Sequence, residues 1–286
     1  MNAGRVLHGV DFTSAPRGGA RGKSIAWATG RVGDNGLVVV EAVARFDDFA
    51  SFEERLRRVD AGEVVALDLP FGMPRAFRSW MGWDALDGIG VIERLGGMSL
   101  DVYVETLERF KAAMPEGEKH PRRACDVWSR SCSPLMLYGV PVAKMHHAGM
   151  RRIVESGLAV WPFEPEDARR GVAVEAYPAM VAMAAGCRQG YKSENRSRWD
   201  EGRDRRARIV EWMEGEAARR VYGAQLGFDV GLVGLRESMI ADGSGDSLDA
   251  CAALLQAAYA TRILGDARRE EWAQDGGWMV DPAGMG

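Results

Sequence analysis

Residues 5–13 read RVLHGVDFT, 23–31 KSIAWATGR, 37–46 LVVVEAVARF, 47–60 DDFASFEERLRRVD and 63–69 EVVALDL, and this succession decides the fold. The first three and the last are apolar runs of strand length, rich in β-branched residues. SAPRGGARG separates the first two, and the Asp34-Asn35-Gly36 turn leads into the third. Strands linked by such turns pair antiparallel, which predicts a meander of three. Residues 47–60 instead place Phe49, Phe52, Leu56 and Val59 at helical spacing, with Asp near the start and Arg near the end, where the helix dipole favours each. EVVALDL is a buried strand that stops at Pro70. The chain therefore opens as β-β-β-α-β.

Working outward, residues 73–165 are less regular, with helical pieces predicted at 100–113 and 148–158 among scattered Gly, Pro and Trp. GVAVEAY at 171–177 is another short strand, again ending in an acid and followed by Pro178. A charged stretch at 188–220 contains one predicted amphipathic helix over 204–222. DSLDACAALLQAAYATRIL at 246–264 is a long helix, apolar around most of its circumference and so expected at the centre of the packing. There is no internal repeat and no linker able to separate two domains. The expectation is a single α/β domain over 1–286: three antiparallel strands followed by parallel ones, helices on both faces, and insertions at about 73–165 and 188–242.

Composition narrows the class. The 286 residues are 47% hydrophobic and 27% charged, which excludes collagen-like, disordered and coiled-coil chains. A net charge of −4 and a pI near 5.7 exclude a globally basic nucleic-acid binder but not a local basic patch. Four Cys without a CxxC read as free thiols rather than a disulfide framework. The opening MNAGRVLHGVDF has no long apolar core of a signal peptide, and residues 250–260 fall short of a membrane span. The expectation is a cytoplasmic protein with no membrane partner.

Three acids occupy equivalent places: Asp11 in GVDFT, Asp68 in ALDLP and Glu175 in AVEAYP, each where an apolar strand ends. In an open parallel sheet, ligands bind just beyond the carboxyl ends of the strands, so three neighbouring parallel strands would bring these acids to one place. Asp246 and Asp249 add a pair at i, i+3 at the start of the long helix, on one side of it. Taken singly, each acid could be a turn former or a helix cap. Together they form a hard-oxygen cluster suited to Mg²⁺ or Mn²⁺, which would relieve the mutual repulsion of the carboxylates. Two such ions would suit hydrolysis of a phosphodiester.

GVDFTSAP, LDLPFGMPR, RRACDVWS with SPL, VEAYPA with a following Tyr191-Lys192, and GDSLDACAAL with a closing GGWMVDP resemble an uncharacterised family described as predicted ribonuclease-H-like nucleases. The resemblance runs from about residue 5 to 282. Its most specific pieces are D-x-P-x-G at 68–72, E-x-Y-P at 175–178 and D-x-x-D-A at 246–250. It implies a ribonuclease-H-like fold, whose element order agrees with the one read above. It also implies metal-ligand roles for Asp11, Asp68, Glu175, Asp246 and Asp249, with Asp11, Asp68, Glu175 and Asp249 catalytic. The helix pair is similar to that of Holliday-junction resolvases. Ribonuclease H proper carries a carboxylate on the first helix, where only Glu53 or Glu54 could serve, and Asp68 would substitute for it. Glu175 follows a strand that resolvases do not use, which leaves substrate binding open beside metal binding.

Residues 118–152 hold seven Lys/Arg against two carboxylates, and 188–220 hold ten against seven. Basic segments beside an acidic cluster suit a phosphate-rich substrate, with Arg122, Arg123 and Lys192 as candidate contacts; the second segment also reads as a solvated helix laced with ion pairs. His120, Cys125, Cys132, His146 and His147 fit no zinc-finger spacing. Trp80 and Trp83, beside Gly82, could line a groove. Gly18, Gly19 and Gly22 belong to no GxxxxGK[ST], which excludes a P-loop NTPase. The expected function is a metal-dependent nuclease acting on DNA or RNA. The alternatives are a nucleotide-dependent phosphotransferase of the sugar-kinase and actin type, which would need glycine-rich phosphate turns and a second similar domain, and a non-catalytic nucleic-acid-binding module.

Overall fold

The computed structural model describes residues 4–18, 23–229, 231, 232 and 234–285; Gly19 and Gly22 lie outside them. Among these residues one seven-stranded sheet forms: β1 (Val6–Asp11), β2 (Ile25–Val32), β3 (Leu37–Phe46), β4 (Val64–Asp68), β5 (Ala159–Val160), β6 (Val172–Glu175) and β7 (Gln225–Phe228). The order across it is β5-β6-β4-β1-β2-β3-β7. β2 pairs antiparallel with both β1 and β3, and every other pairing is parallel. The expected mixed sheet, a meander and then parallel strands, is present.

Alternation along the strands divides the core between two faces. Leu7 on β1, Ala26 and Ala28 on β2, and Val64 and Ala66 on β4 meet the long helix Asp246–Ala260 on one face. Val10, Ile25, Trp27, Val65 and Leu67 meet the helices Phe49–Arg57 and Val142–Glu155 on the other. The long helix is buried along nearly its whole length, as its apolar circumference predicts. It lies hard against β1. A Cβ placed on Gly9 would stand 2.1 Å from the carbonyl of Ala250 and from the backbone nitrogen of Leu254, so only glycine admits the helix here.

The first insertion builds a core of its own from Met73, Phe77, Val91, Leu95, Tyr103, Leu107 and Phe110. Trp80 and Trp83 pack on Phe77, and Trp80 also on Phe110, so both belong to this core rather than to a groove. The helix expected at 148–158 begins earlier, running Val142–Glu155. The single helix expected over 204–222 is two, Arg203–Glu214 and Glu216–Tyr222, because Gly215 adopts an extended backbone between them. Among the described residues no helix is long and apolar enough to cross a membrane.

Candidate active site

Asp11 and Asp68 are direct register partners at the carboxyl ends of β1 and β4. Strand alternation points both toward the long helix, since Leu7 and Gly9, and Val64 and Ala66, meet it from the same side. The helix begins at Gly245 beneath these strand ends, and its first turn supplies Asp249, only 2% exposed. Neither Asp11 nor Asp68 ion-pairs with, or accepts a hydrogen bond from, a described side chain. Their charge is held by their surroundings alone. Burial first, then Asp249, pushes the Asp11 carboxyl well above the carboxylate range, with Lys192 opposing. Burial likewise pushes Asp68 up to about 7, Lys192 opposing and Asp249 and Glu175 adding to the rise.

The counter-charge comes from the second insertion. The Tyr191 hydroxyl donates to Asp249 Oδ1 at 2.9 Å, and Lys192 Nζ donates to Asp249 Oδ2 at 2.5 Å. Among the described residues Lys192 is therefore the cation that three neighbouring carboxylates share, and their field holds its ammonium well above its ordinary range, Asp249 foremost. Its side chain is half-exposed, so it is a counter-ion with room to move.

Asp246 is placed otherwise. It pairs with Arg45 Nη1 at 2.9 Å, while Arg45 Nη2 holds Asp242 at 2.7 Å and donates to Ser247 Oγ at 3.0 Å. Arg45 thereby ties β3 to the start of the long helix, and Asp246 acts on Asp11 only through its charge. Sequence reasoning missed Arg45: it lies 201 residues from Asp246, with no local signal to join them.

Glu175 also stands apart from Asp11 and Asp68. Its register partner is Leu67, one residue short of Asp68, and Leu67 packs on the opposite face of the sheet. There Glu175 receives Arg123 twice, Nη2 to Oε1 at 2.6 Å and Nη1 to Oε2 at 2.7 Å, and accepts the Phe71 N–H at 2.9 Å. Arg123 also grips Asp126 through Nε at 3.0 Å and Nη2 at 2.8 Å. With Arg123 only 1% exposed, the guanidinium expected on a phosphate is instead spent inside this triad. Arg122, its neighbour, is exposed. Three of the sequence motifs thus have a joint physical role: the arginine of RRACD holds the glutamate of VEAYP, which anchors the backbone of DLPFG three residues beyond Asp68.

Cys125, Asp126 and Glu175 are the described His/Cys/Asp/Glu residues whose ligand atoms all lie within 4.8 Å of one another. Arg123 already pairs with both carboxylates of that set, and burial pushes the Cys125 thiol well up, so an ion there would have to displace the guanidinium. His146 is buried against Tyr103 and depressed by burial to about 3, and His147 bonds the Met98 carbonyl.

Fold and site together define an α/β protein with an acidic cluster at the carboxyl ends of two adjacent parallel strands. The chain matches the family described as "Protein of unknown function (DUF429)" over residues 9–270, and it belongs to that family. No curated protein and no solved structure matches it.

Proposed function

We propose that this protein is a metal-dependent phosphodiesterase, a nuclease of ribonuclease-H-like type acting on DNA or RNA with Mg²⁺ or Mn²⁺. The observation that carries the reading is the Asp11–Asp68 pair: adjacent carboxylates at strand ends, unmatched by any side-chain donor among the described residues, with Asp249 brought up beside them by the long helix. The meander followed by parallel strands, with a helix crossing β1, supports the fold assignment. Leaving like charges together in a half-buried place is costly without a cation, and one lysine answers three acids.

The donor set fits a hard divalent ion, being carboxylate oxygens of which those of Asp11 and Asp68 are on partly exposed residues. Asp11, Asp68 and Asp249 would hold it. The three do not close to within 4.8 Å of one another, so water or a second ion would complete the shells rather than a sealed protein cage. When bound, such ions would polarise a phosphoryl oxygen and lower the pKa of a bound water. The chain's own residues orient the site. Tyr191 fixes the Asp249 rotamer, Arg45 anchors the helix start through Asp246, and the Arg123–Glu175 pair holds the loop after Asp68. Lys192, once released from Asp249, is placed to meet a substrate phosphate.

The test is Mn²⁺-dependent cleavage of single-stranded, duplex and hybrid substrates, with thermal unfolding beside it. Asp11→Asn should abolish cleavage and most of the melting increment produced by millimolar Mn²⁺. Asp34→Asn, in the exposed hairpin turn, should keep both. An equal response of the two variants would refute the assignment.

A further inference from the structure

A second concavity adjoins the cleft. It has a volume of about 150 Å³ and is walled by Gly190, Tyr191, Lys192, Arg198, Arg205 and Arg206, with Glu201 its lone carboxylate. Its charges do not cancel. Lys192 answers Asp249, and Arg198 answers Glu201 at 2.9 Å. Among the described residues no carboxylate lies within ion-pair distance of Arg205 or Arg206.

Arg206 is the informative one. It is 1% exposed, yet its guanidinium is held only by backbone carbonyls: Nε to Ile240 at 2.8 Å, Nη1 to Tyr191 at 2.7 Å and Nη2 to Trp199 at 2.8 Å. Carbonyls satisfy N–H donors but carry no net charge, and Asp242 and Asp200 favour the charged form only from beyond ion-pair distance, so a buried cation without a direct ionic partner stands beside an exposed second one. The backbone is arranged around it. A Cβ on Gly202 would stand 2.7 Å from the Gly190 carbonyl and 2.8 Å from Arg206 Nη1, so glycine lets the start of the Arg203–Glu214 helix close on the loop. That helix start adds its own partial positive charge.

Tyr191 and Lys192 form the partition between the two cavities. Their side-chain heads rest on Asp249 in the cleft, while the Tyr191 carbonyl holds Arg206 in the pocket. We infer that the Gly190–Arg206 pocket is a phosphate subsite, taking a phosphodiester of the polynucleotide beside the one placed at the acid cleft. This rests on the nucleic-acid reading above. A phosphate there meets planar guanidinium chemistry and supplies the direct anionic partner that Arg205 and Arg206 lack among the described residues.

The experiment uses a fluorescein-labelled single-stranded 12-mer, as DNA and as RNA, with anisotropy read in EDTA across a salt series. Arg205→Glu is chosen because Arg205 is exposed and its replacement leaves the buried Arg206 in place. Arg220→Glu, exposed near the opposite end of the sheet just before β7, is the charge-matched control. Arg205→Glu should weaken binding about tenfold or more at low salt and flatten the salt slope by about 0.7 for the lost phosphate. Arg220→Glu should bind as the wild type does. Equal affinity and slope in both variants overturn the subsite, and so does failure of the wild type to bind either 12-mer at low salt. Cleavage by the wild type with Mn²⁺ is scored separately. Cleavage with two indistinguishable variants would sink the subsite and leave the nuclease reading standing, and selective loss of binding without any cleavage would do the reverse.

Discussion

Replacing Asp68 by Asn should make the metal-free protein more stable at alkaline pH. The Asp68 carboxyl is raised from 3.8 to about 7, with burial the largest cause. Its folded state therefore holds a proton that the unfolded chain has already released between those two values. The stabilisation this confers is complete below about pH 4 and is lost as pH rises through about 7. Roughly three pH units at about 1.4 kcal/mol each amount to about 4 kcal/mol withdrawn from the wild type by pH 8. Asp11 is raised in the same direction, so the two acids lose their protons as an interacting pair. Asparagine has no proton to lose. At about 2 °C per kcal/mol for a chain of this size, Asp68→Asn in EDTA should melt roughly 6–8 °C above the wild type at pH 8 and lose that advantage below about pH 4. Millimolar Mn²⁺ should reverse the order at pH 8, because only the wild type keeps the full set of ligands. Thermal unfolding followed by circular dichroism, with and without Mn²⁺, reads all four conditions. A variant less stable than the wild type at pH 8 in EDTA would refute the reasoning, since Asp68 would then be a carboxylate that the fold supports.

Two further outcomes test the framework around the cleft. Arg123→Ala leaves Glu175 and Asp126 buried without their cation and should cost about 3–5 kcal/mol in urea unfolding; a loss under 1 kcal/mol would mean that the triad carries little of the loop's order. Gly9→Ala drives a methyl into the backbone of the long helix at 2.1 Å and should abolish the cooperative melting transition or lower it by more than 10 °C, and a wild-type melting curve would contradict the close helix–strand contact.

Sequence by itself determined the strands of the meander, the first helix, β4, β6 and the long buried helix, because each carries a strong local period and an evident stop. It also picked out Asp11 and Asp68, since a carboxylate closing an apolar strand is a local event. β5 is only two residues long, β7 (QLGF) holds just two strongly apolar residues and so lacks the apolar run that marks β6, and Gly215 broke a helix whose charge pattern runs on through it. What each acid does was decided by tertiary structure. Asp246 and Asp249 are three residues apart and so stand about 60° apart around the helix, enough to give one to Arg45 and the other to the cleft. Glu175 closes its strand as Asp68 does, but its register partner is Leu67, and in a pleated sheet a one-residue offset turns a side chain to the other face. There it met Arg123, whose place in a basic run suggested a phosphate contact, and the two neutralise each other out of water. Local pattern places an acid on an element; register and helix rotation, which depend on residues far away in the chain, choose its neighbours.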